Sequence, residues 1–248
     1  MIPELVRIHD VIDVVISTLN ARDPYTSEHS FRVALFSELL SEQMSLPART
    51  HQRLHIAAHL HDIGKVGVPD GILNKPGRLT EVEKLQIQLH PRIGFDILQR
   101  LPTFREVARI VLHHHERIDG FGYPNRLRGE QIPLESRIIA VADAFDAMTS
   151  DRPYRRGMPV ETAAEEIARH AGDQFDPEVV AHFERAIDLL ATHVQSGQEP
   201  TRLPGEPDHD SLMHSRIASA IHDPVTEQSH QTSPEPDCPS SQRFQHAG

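Results

Sequence analysis

The sequence predicts an all-α protein, a single compact helical bundle followed by a disordered C-terminal tail. Three observations support this prediction. Successive segments repeat apolar residues at the spacing of an amphipathic helix, no segment alternates in the manner of a strand, and glycine and proline fall between the helical segments. A chain of 248 residues is long enough to bury one sizeable core.

The predicted helices begin close to the N-terminus. The first occupies residues 1–22 and ends before the Asp23–Pro24 pair. Two more follow in TSEHSFRVALFSELLSEQM and PARTHQRLHIAAHLHDIG, the second of them between Pro47 and Gly64. The segment LTEVEKLQIQL opens with Thr80 and has Glu83 three residues later, a capping-box pattern that starts a helix.

Four later segments complete the predicted bundle, namely FREVARIVLHHHE, PLESRIIAVADAFDAMTS, PVETAAEEIARH and DPEVVAHFERAIDLLATHV. We therefore place one domain at residues 23–195 and expect its chemistry in the bundle interior. Residues 196–248 are rich in proline, serine and acidic residues and are predicted to be disordered.

The composition excludes several classes of function and site. The net charge is −11, which provides no basic footprint for long nucleic acid or an anionic membrane surface. The single cysteine, Cys238, excludes disulfides within the chain and thiolate metal sites. Neither a leader peptide nor an apolar run long enough for membrane insertion is present, and we expect a cytoplasmic protein.

His61 and Asp62 are the first candidate functional residues. They follow an apolar helical stretch, so the pair emerges next to the core, where a carboxylate needs compensation. An aspartate can bridge two cations while the neighbouring histidine binds one of them. Taken alone, the pair fits an ordinary helix end better than it fits a metal site.

A second group of candidates favours the metal site. His114 and His115 follow the apolar segment VARIVL, and a helix would place them about 100° apart, both facing one pocket beside a glycine-rich loop. His90 precedes Pro91, which is expected to disturb its helix. Asp143 lies within RIIAVADAFDAM, an apolar run in which an unpaired carboxylate is rare.

HDIGK together with HHERIDGFGYP resembles the HD-GYP family, a branch of the HD phosphohydrolases that degrades bacterial cyclic di-GMP. The resemblance covers most of residues 23–185 and includes DPYTSEHSFRVA, GVPDGILNKPGRLT, ESRIIAVADAFDAMTSDRPYR and AGDQFDPEVV. It implies an HD-domain-like bundle in which Asp62 bridges two metal ions. The implied metal ligands are His61, Asp62, His90, His114, His115 and Asp143.

Two cations roughly 3.5–4 Å apart would activate a water for in-line attack on a phosphodiester. In this scheme Asp62 and Lys65 are catalytic, with the Lys65 ammonium on a non-bridging phosphate oxygen that gains charge. Imidazole and carboxylate donors suit iron, manganese or zinc. The resemblance favours two iron ions, with manganese as the alternative.

Four further residues are predicted with open alternatives. In three-metal members of the family a glutamate precedes His29 by four residues; here that residue is Tyr25, so we predict two ions and an optional or supporting role for His29. The resemblance implies that Arg152 and Arg155 touch substrate phosphates or guanine faces, although such a loop is usually only solvated. Tyr123 either shapes the entrance, docks a partner protein or forms a structural turn.

Other histidines are set aside. His51, His55 and His59 recur every four residues and could form a surface metal clip, but an ordinary polar helix face is the better explanation. His113 lies outside the histidine pair of the family. Asp146, one helical step from Asp143, is expected to orient its neighbours.

The predicted function is hydrolysis of cyclic di-GMP to pGpG, to GMP or to both. One alternative is hydrolysis of another cyclic dinucleotide. A second is a non-catalytic regulatory module that binds cyclic di-GMP or a GGDEF-domain protein. Regulation is expected through a GGDEF-domain or sensor partner, or through a homodimer formed by the first helix, with the tail as a further contact.

Overall fold

The computed structural model describes residues 26–151 and 156–196, preceded by positions 12, 14, 15, 17 and 18. No strand forms within these residues, where a lone bridge joins Ala171 and Phe175. The all-α prediction is confirmed. The α-helices of the two ranges are α1 Thr26–Gln43, α2 Ala48–Leu60, α3 Asp70–Leu73, α4 Glu81–Ile87, α5 His90–Leu98, α6 Arg105–Leu112, α7 Leu134–Thr149, α8 Val160–Arg169 and α9 Pro177–Ser196.

Three short 3-10 helices connect these elements, at Ile63–Gly67, Pro102–Phe104 and Gly129–Gln131. The capping box predicted for α4 is present, because the Thr80 hydroxyl accepts from the Glu83 amide and the Glu83 carboxylate accepts from the Thr80 amide. In the described part of the chain, no helix is long and apolar enough to cross a bilayer. Most of the predicted first helix, and residues 197–248, lie outside that part.

The core sits between α1, α2, α7 and α9. Helix α1 packs against α2, α7 and α9, and α2 also packs against α6. Phe36 of α1, Phe145 of α7 and Phe183 of α9 are fully buried and meet edge to face, with ring centroids 5.2 Å apart in both pairs. Such aromatic pairs contribute about 0.5–1.5 kcal/mol beyond their buried area. They fix α1 against α7, the two helices that carry His29 and Asp143.

Two helix boundaries differ from the prediction. Helix α2 ends at Leu60 rather than at Gly64, and α6 ends at Leu112, so the three histidines that follow it form a turn. The chain leaves α6 because its next segment bonds to another part of the backbone, with Asp119 N donating to Asp173 O at 3.0 Å. The helical run does break beside Pro91, as predicted: α4 ends at Ile87, α5 begins at His90, and Pro91 lies in the first turn of α5, where its missing N–H costs nothing.

The polar face predicted for α2 is also wrong. His55 is only 5% exposed, and His51 and His59 are half-buried, because α1 packs against this side of α2. Polar residues of α1 meet these histidines: Glu38 contacts His55, and the Ser41 hydroxyl contacts His51. Two helices therefore share a buried polar seam.

Candidate metal centre

His61 and Asp62 lie at the turn between α2 and the 3-10 helix Ile63–Gly67. His61 keeps helical backbone angles (φ −55°, ψ −36°), whereas Asp62 (φ −95°, ψ 4°) departs from them. Their exposed fractions are 1% and 3%. The pair is therefore buried at the point where the chain turns.

A glycine brings this turn close to α5. A Cβ on Gly64 would lie 1.8 Å from the His90 carbonyl oxygen and 2.6 Å from the Gly94 amide nitrogen, so no side chain fits there. The resulting contact between two backbone segments places His90 beside Asp62. The sequence spacing of these residues does not reveal that contact.

Three buried histidines share one tautomer. Nδ1 of His61, His90 and His114 lies 2.7, 2.8 and 2.6 Å from the carbonyl oxygen three residues earlier. A carbonyl can only accept, so Nδ1 is the donor and Nε2 of each neutral ring carries a lone pair. Metal-binding histidines have this arrangement, with the outer nitrogen fixed by a backbone or carboxylate acceptor.

The Nε2 lone pairs lack donors. His61 Nε2 is buried and has no hydrogen-bond partner among the described residues. His90 Nε2 lies 3.2 Å from His114 Nε2, which places two lone pairs against each other. Unpartnered buried acceptors are costly in a folded protein. The donor set therefore fits a cation.

The carboxylate of Asp62 divides its two oxygens between different histidines. Oδ1 is 3.3 Å from His90 Nε2, whereas Oδ2 is 3.4 Å from His61 Nε2 and 3.6 Å from His29 Nε2. Lys65 Nζ also lies 2.6 Å from Oδ2. A carboxylate placed this way can bridge two cations.

Two groups of ligand atoms flank Asp62. Within each group, one ligand atom per residue lies within 4.8 Å of the others; the groups are His90 with His114 and His115, and His29 with His61 and Asp143. The structure thus brings together all six residues predicted as metal ligands. It adds His29, for which the sequence predicted only an optional or supporting role.

His29 is held by a carboxylate behind it. Its Nδ1 lies 2.7 Å from Asp146 Oδ2, and its Nε2 lies 3.4 Å from Asp143 Oδ1. Arg32 Nε donates to Asp146 Oδ1 at 2.5 Å. Sequence reasoning missed Arg32, although its position one helical turn after His29 places both on the same face of α1. Asp146 orients its neighbours, as expected.

The glycine-rich loop covers His115. The Tyr123 ring stacks on the His115 ring with centroids 4.9 Å apart, and Tyr123 N donates to His115 O at 3.2 Å. Behind the loop, the Glu116 carboxylate accepts from the amides of Asn125 and Leu127 at 2.6 and 3.1 Å. Glu116 is thus a loop anchor.

A cleft of about 350 Å³ opens on the outer side of this loop. The exposed ring of Phe121, 77% accessible, stands at its rim. Arg152 and Arg155, predicted to touch substrate, lie outside the described residues, as does Tyr25. The cleft is lined by Gln88, Phe121, Gly122, Tyr123, Pro124 and Arg126.

The electrostatics suit metal ligands. Burial lowers the pKa of His90 and holds that of His114 well below its ordinary value, and it lowers the pKa of His115 to about 3. Burial favours the neutral form of Asp62, yet the charges of Lys65 and His61 hold its pKa well below the usual range. At neutral pH the site therefore offers neutral imidazoles at His90, His114 and His115 and an ionised carboxylate at Asp62.

Comparison with known proteins gives one family match. A family model described as HD domain matches residues 13–179. The chain is 40% identical over 190 residues to 3′3′-cGAMP-specific phosphodiesterase 3 of Vibrio cholerae serotype O1, covering 77% of this chain and 40% of that protein. It is 43% identical over 176 residues to a cyclic di-GMP phosphodiesterase of Thermotoga maritima, covering 70% of this chain and 48% of that protein.

The chain therefore spans less than half the length of these two relatives. Among solved structures, an HDG"Y"P protein from Bdellovibrio bacteriovorus matches with a TM-score of 0.55 and 22% identity, over 75% of this chain and 60% of that one. At this identity the likeness demonstrates a shared fold.

Proposed function

The chain belongs to the HD-GYP branch of the HD-domain family, and from this premise we propose that it is a metal-dependent phosphodiesterase that hydrolyses cyclic di-GMP. One observation carries the proposal. The two oxygens of the buried Asp62 carboxylate face two separate groups of ligand atoms, which is the geometry required to hold a pair of ions.

One ion would be held by His90, His114 and His115, the other by His29, His61 and Asp143, with Asp62 shared between them. Paired divalent ions lower the pKa of a shared water and offset charge on the phosphate. Imidazole and carboxylate donors without thiolate suit iron, manganese or zinc, and the family resemblance favours iron, with manganese as the alternative. Two ions, rather than three, follow from the neutral phenol of Tyr25 at the position where a third ion needs a carboxylate.

Lys65 is proposed to bind the phosphate. Its ammonium lies at the mouth of the Asp62 site, with the side chain 23% exposed, so it can reach a non-bridging oxygen of a bound substrate. The positive charge would stabilise the charge that develops there during attack. Arg152, Arg155 and Tyr123 are proposed to contact the rest of the nucleotide.

The reaction adds water across a P–O3′ bond and leaves a 3′-hydroxyl and a 5′-phosphate. Cyclic di-GMP would give linear pGpG, and a second hydrolysis would give GMP. A second candidate substrate is 3′3′-cGAMP, because a relative 40% identical to this chain is named for it. Both substrates present the same diester to the site, so the preference for one of them depends on contacts with the bases.

The test is an anaerobic assay of the purified chain loaded with iron(II) or manganese(II), with cyclic di-GMP, 3′3′-cGAMP and cyclic di-AMP as separate substrates. We expect hydrolysis of cyclic di-GMP, and a loss of roughly 10³-fold or more in Asp62→Ala. Asp96→Ala removes an exposed carboxylate and should retain full activity. Metal-loaded protein that binds the nucleotides but hydrolyses none of them would replace this proposal with the regulatory-module function.

Regulation is proposed to come from a partner protein with a GGDEF or sensor domain, or from a homodimer formed through residues 1–22. Deleting residues 1–20 tests the second proposal. We expect the deletion to shift a dimer to a monomer in analytical ultracentrifugation. A full-length chain that is already monomeric would contradict it.

A further inference from the structure

We propose a second metal site, outside the catalytic centre, in which Glu38, His55 and His59 bind a zinc-type divalent cation between α1 and α2. It goes beyond the proposed function and shares no ligand with the two groups around Asp62. One ligand atom from each of the three residues lies within 4.8 Å of the other two.

The helical spacing brings the two histidines together. His55 and His59 are four residues apart in α2, so they lie on one face, and their ring centroids are 4.7 Å apart. Paired imidazoles at this spacing are a recurrent zinc-binding arrangement on helices. The third donor comes from the facing helix, where the Glu38 carboxylate contacts His55 Nδ1.

Two histidines and one glutamate form a known set of protein ligands for zinc, with a fourth position left for water. Zinc-bound nitrogen and oxygen atoms at about 2.0–2.2 Å from the ion would lie roughly 3.3 Å apart in a tetrahedral site. Small side-chain movements would bring the three ligand atoms, which now lie within 4.8 Å of one another, to that spacing. The ionised glutamate would cancel half of the ion's charge.

Two of the three proposed ligands are buried, and burial favours binding of a cation. Glu38 is 6% exposed and His55 is 5% exposed, both within the packed seam between the two helices. A buried carboxylate is stabilised by hydrogen bonds and by positive charge, and a bound cation would place positive charge beside Glu38. His59 is half-buried and packs edge to face with the Phe31 ring, with centroids 5.2 Å apart, and Phe31 is 48% exposed. The site therefore has a short route to solvent.

The proposed zinc site is separate from the catalytic centre, but an ion bound there would affect the two helices that position catalytic-centre residues. His59 and His61 are two residues apart, which turns their side chains roughly 200° around the helix axis. An ion held by Glu38 and His59 would link α1 to α2. Helix α1 carries His29, and His61 directly follows α2, so the link would fix these two residues of one ligand group relative to each other.

The experiment counts zinc in the full-length, untagged chain. Protein is stripped with chelator, equilibrated with excess zinc, freed of unbound metal and measured by plasma mass spectrometry. We expect Glu38→Gln and His59→Gln each to bind about one zinc ion fewer per chain than the unmodified protein. His51→Gln is the matched control, because His51 lies on the same helix face and contacts Ser41 but belongs to no ligand group.

Circular dichroism verifies the fold of each variant, and a second readout uses thermal unfolding. Zinc at about 100 times its Kd should raise the Tm by roughly 5–10 °C through binding at this site. His59→Gln should lose this part of the zinc-induced rise. Equal zinc content and an equal Tm rise in the unmodified protein and His59→Gln would overturn the proposal, leaving a hydrogen-bonded Glu38–His55 pair. Asp62→Ala should still bind this ion, so failure here is distinguishable from failure of the proposed phosphodiesterase.

Discussion

His90 and His114 present their Nε2 lone pairs to each other across 3.2 Å, because each ring donates its Nδ1–H to a backbone carbonyl oxygen. Neither Nε2 can donate to the other while both rings are neutral. The contact is favourable only when positive charge lies between them. Burial opposes protonation, since it holds the pKa of His114 well below its ordinary value. A metal ion between the two Nε2 atoms therefore suits this contact better than a proton does.

Metal-free protein should lose stability in mild acid. In the folded state His114 stays neutral, whereas the unfolded chain takes up a proton near pH 6.5. The unfolded state then binds more protons, so the free energy of unfolding falls as pH drops through this value. Between pH 7.5 and 5.5 we expect a loss of about 1.4 kcal/mol from His114 alone, measured by urea denaturation with chelator present.

His114→Gln provides the control, because it removes the titrating ring and should flatten the pH dependence by that amount. Two neighbours also titrate. The pKa of His61 is raised, because the charge of Asp62 outweighs burial, so the folded state takes up this proton first and gains stability as pH falls toward 6.5. This opposing contribution is present in both proteins and cancels in their comparison. The pKa of Asp62 is held well below 3.8, and its contribution changes only in stronger acid. An identical pH dependence in the variant would contradict the prediction.

The sequence singled out six candidate ligands that the structure brings together, but it did not show how they divide into two groups. Residue type and family resemblance were sufficient to choose them. The division depends on which backbone segments meet, above all on the contact between Gly64 and His90. For the same reason the sequence did not show that His29 lies beside Asp143. That position follows from aromatic packing between α1 and α7.

The face of α2 that carries His55 was mispredicted for a related reason. Helical periodicity locates a polar stripe, but it does not say which helix will cover it. Here α1 supplies its own polar residues, Glu38 and Ser41, at the positions that meet the histidines. Complementary polar stripes on consecutive helices were the available signal, and recognising them requires the pairing of the helices to be known.

Asp146→Asn should weaken metal binding without removing a ligand. Asp146 is buried and accepts from His29 Nδ1, and the hydrogen bonds from His29 and Arg32 overcome burial to lower its pKa. An amide could instead donate to Nδ1 and thereby turn the lone pair away from the ion. We expect a 10- to 100-fold loss of affinity at the His29 group, roughly the usual effect of removing such a supporting carboxylate.

A competition titration against a chelator of known affinity measures this loss. Ser150→Ala is the matched control, because the Ser150 hydroxyl donates to Asp146 Oδ1 at 3.0 Å but does not touch His29. It should retain the affinity of the unmodified chain. Equal losses in both variants would mean that the effect comes from general disturbance of α7.

Lys65→Gln should lower turnover while leaving the metal content intact. The ammonium is proposed to stabilise phosphate charge, and loss of one such group lowers kcat by roughly 10²–10³-fold. Lys65→Arg should recover part of it, whereas Lys84→Gln, an exposed lysine paired with Glu81, should have no effect. Steady-state kinetics and metal analysis are measured together. Loss of metal in Lys65→Gln would show that Lys65 acts by holding Asp62.

Gly64→Ala should destabilise the fold and separate the two groups of ligands. The added Cβ would meet the His90 carbonyl oxygen at 1.8 Å and the Gly94 nitrogen at 2.6 Å, both backbone atoms that no rotamer change can move. We expect a loss of roughly 1–3 kcal/mol or more in the free energy of unfolding, with weaker metal binding because His90 is pushed from Asp62. Gly71→Ala, in the same stretch of chain with nothing within 4 Å of its Cβ, should be neutral or slightly stabilising. Equal urea midpoints for the two variants would contradict the close backbone contact on which the bridging geometry of Asp62 depends.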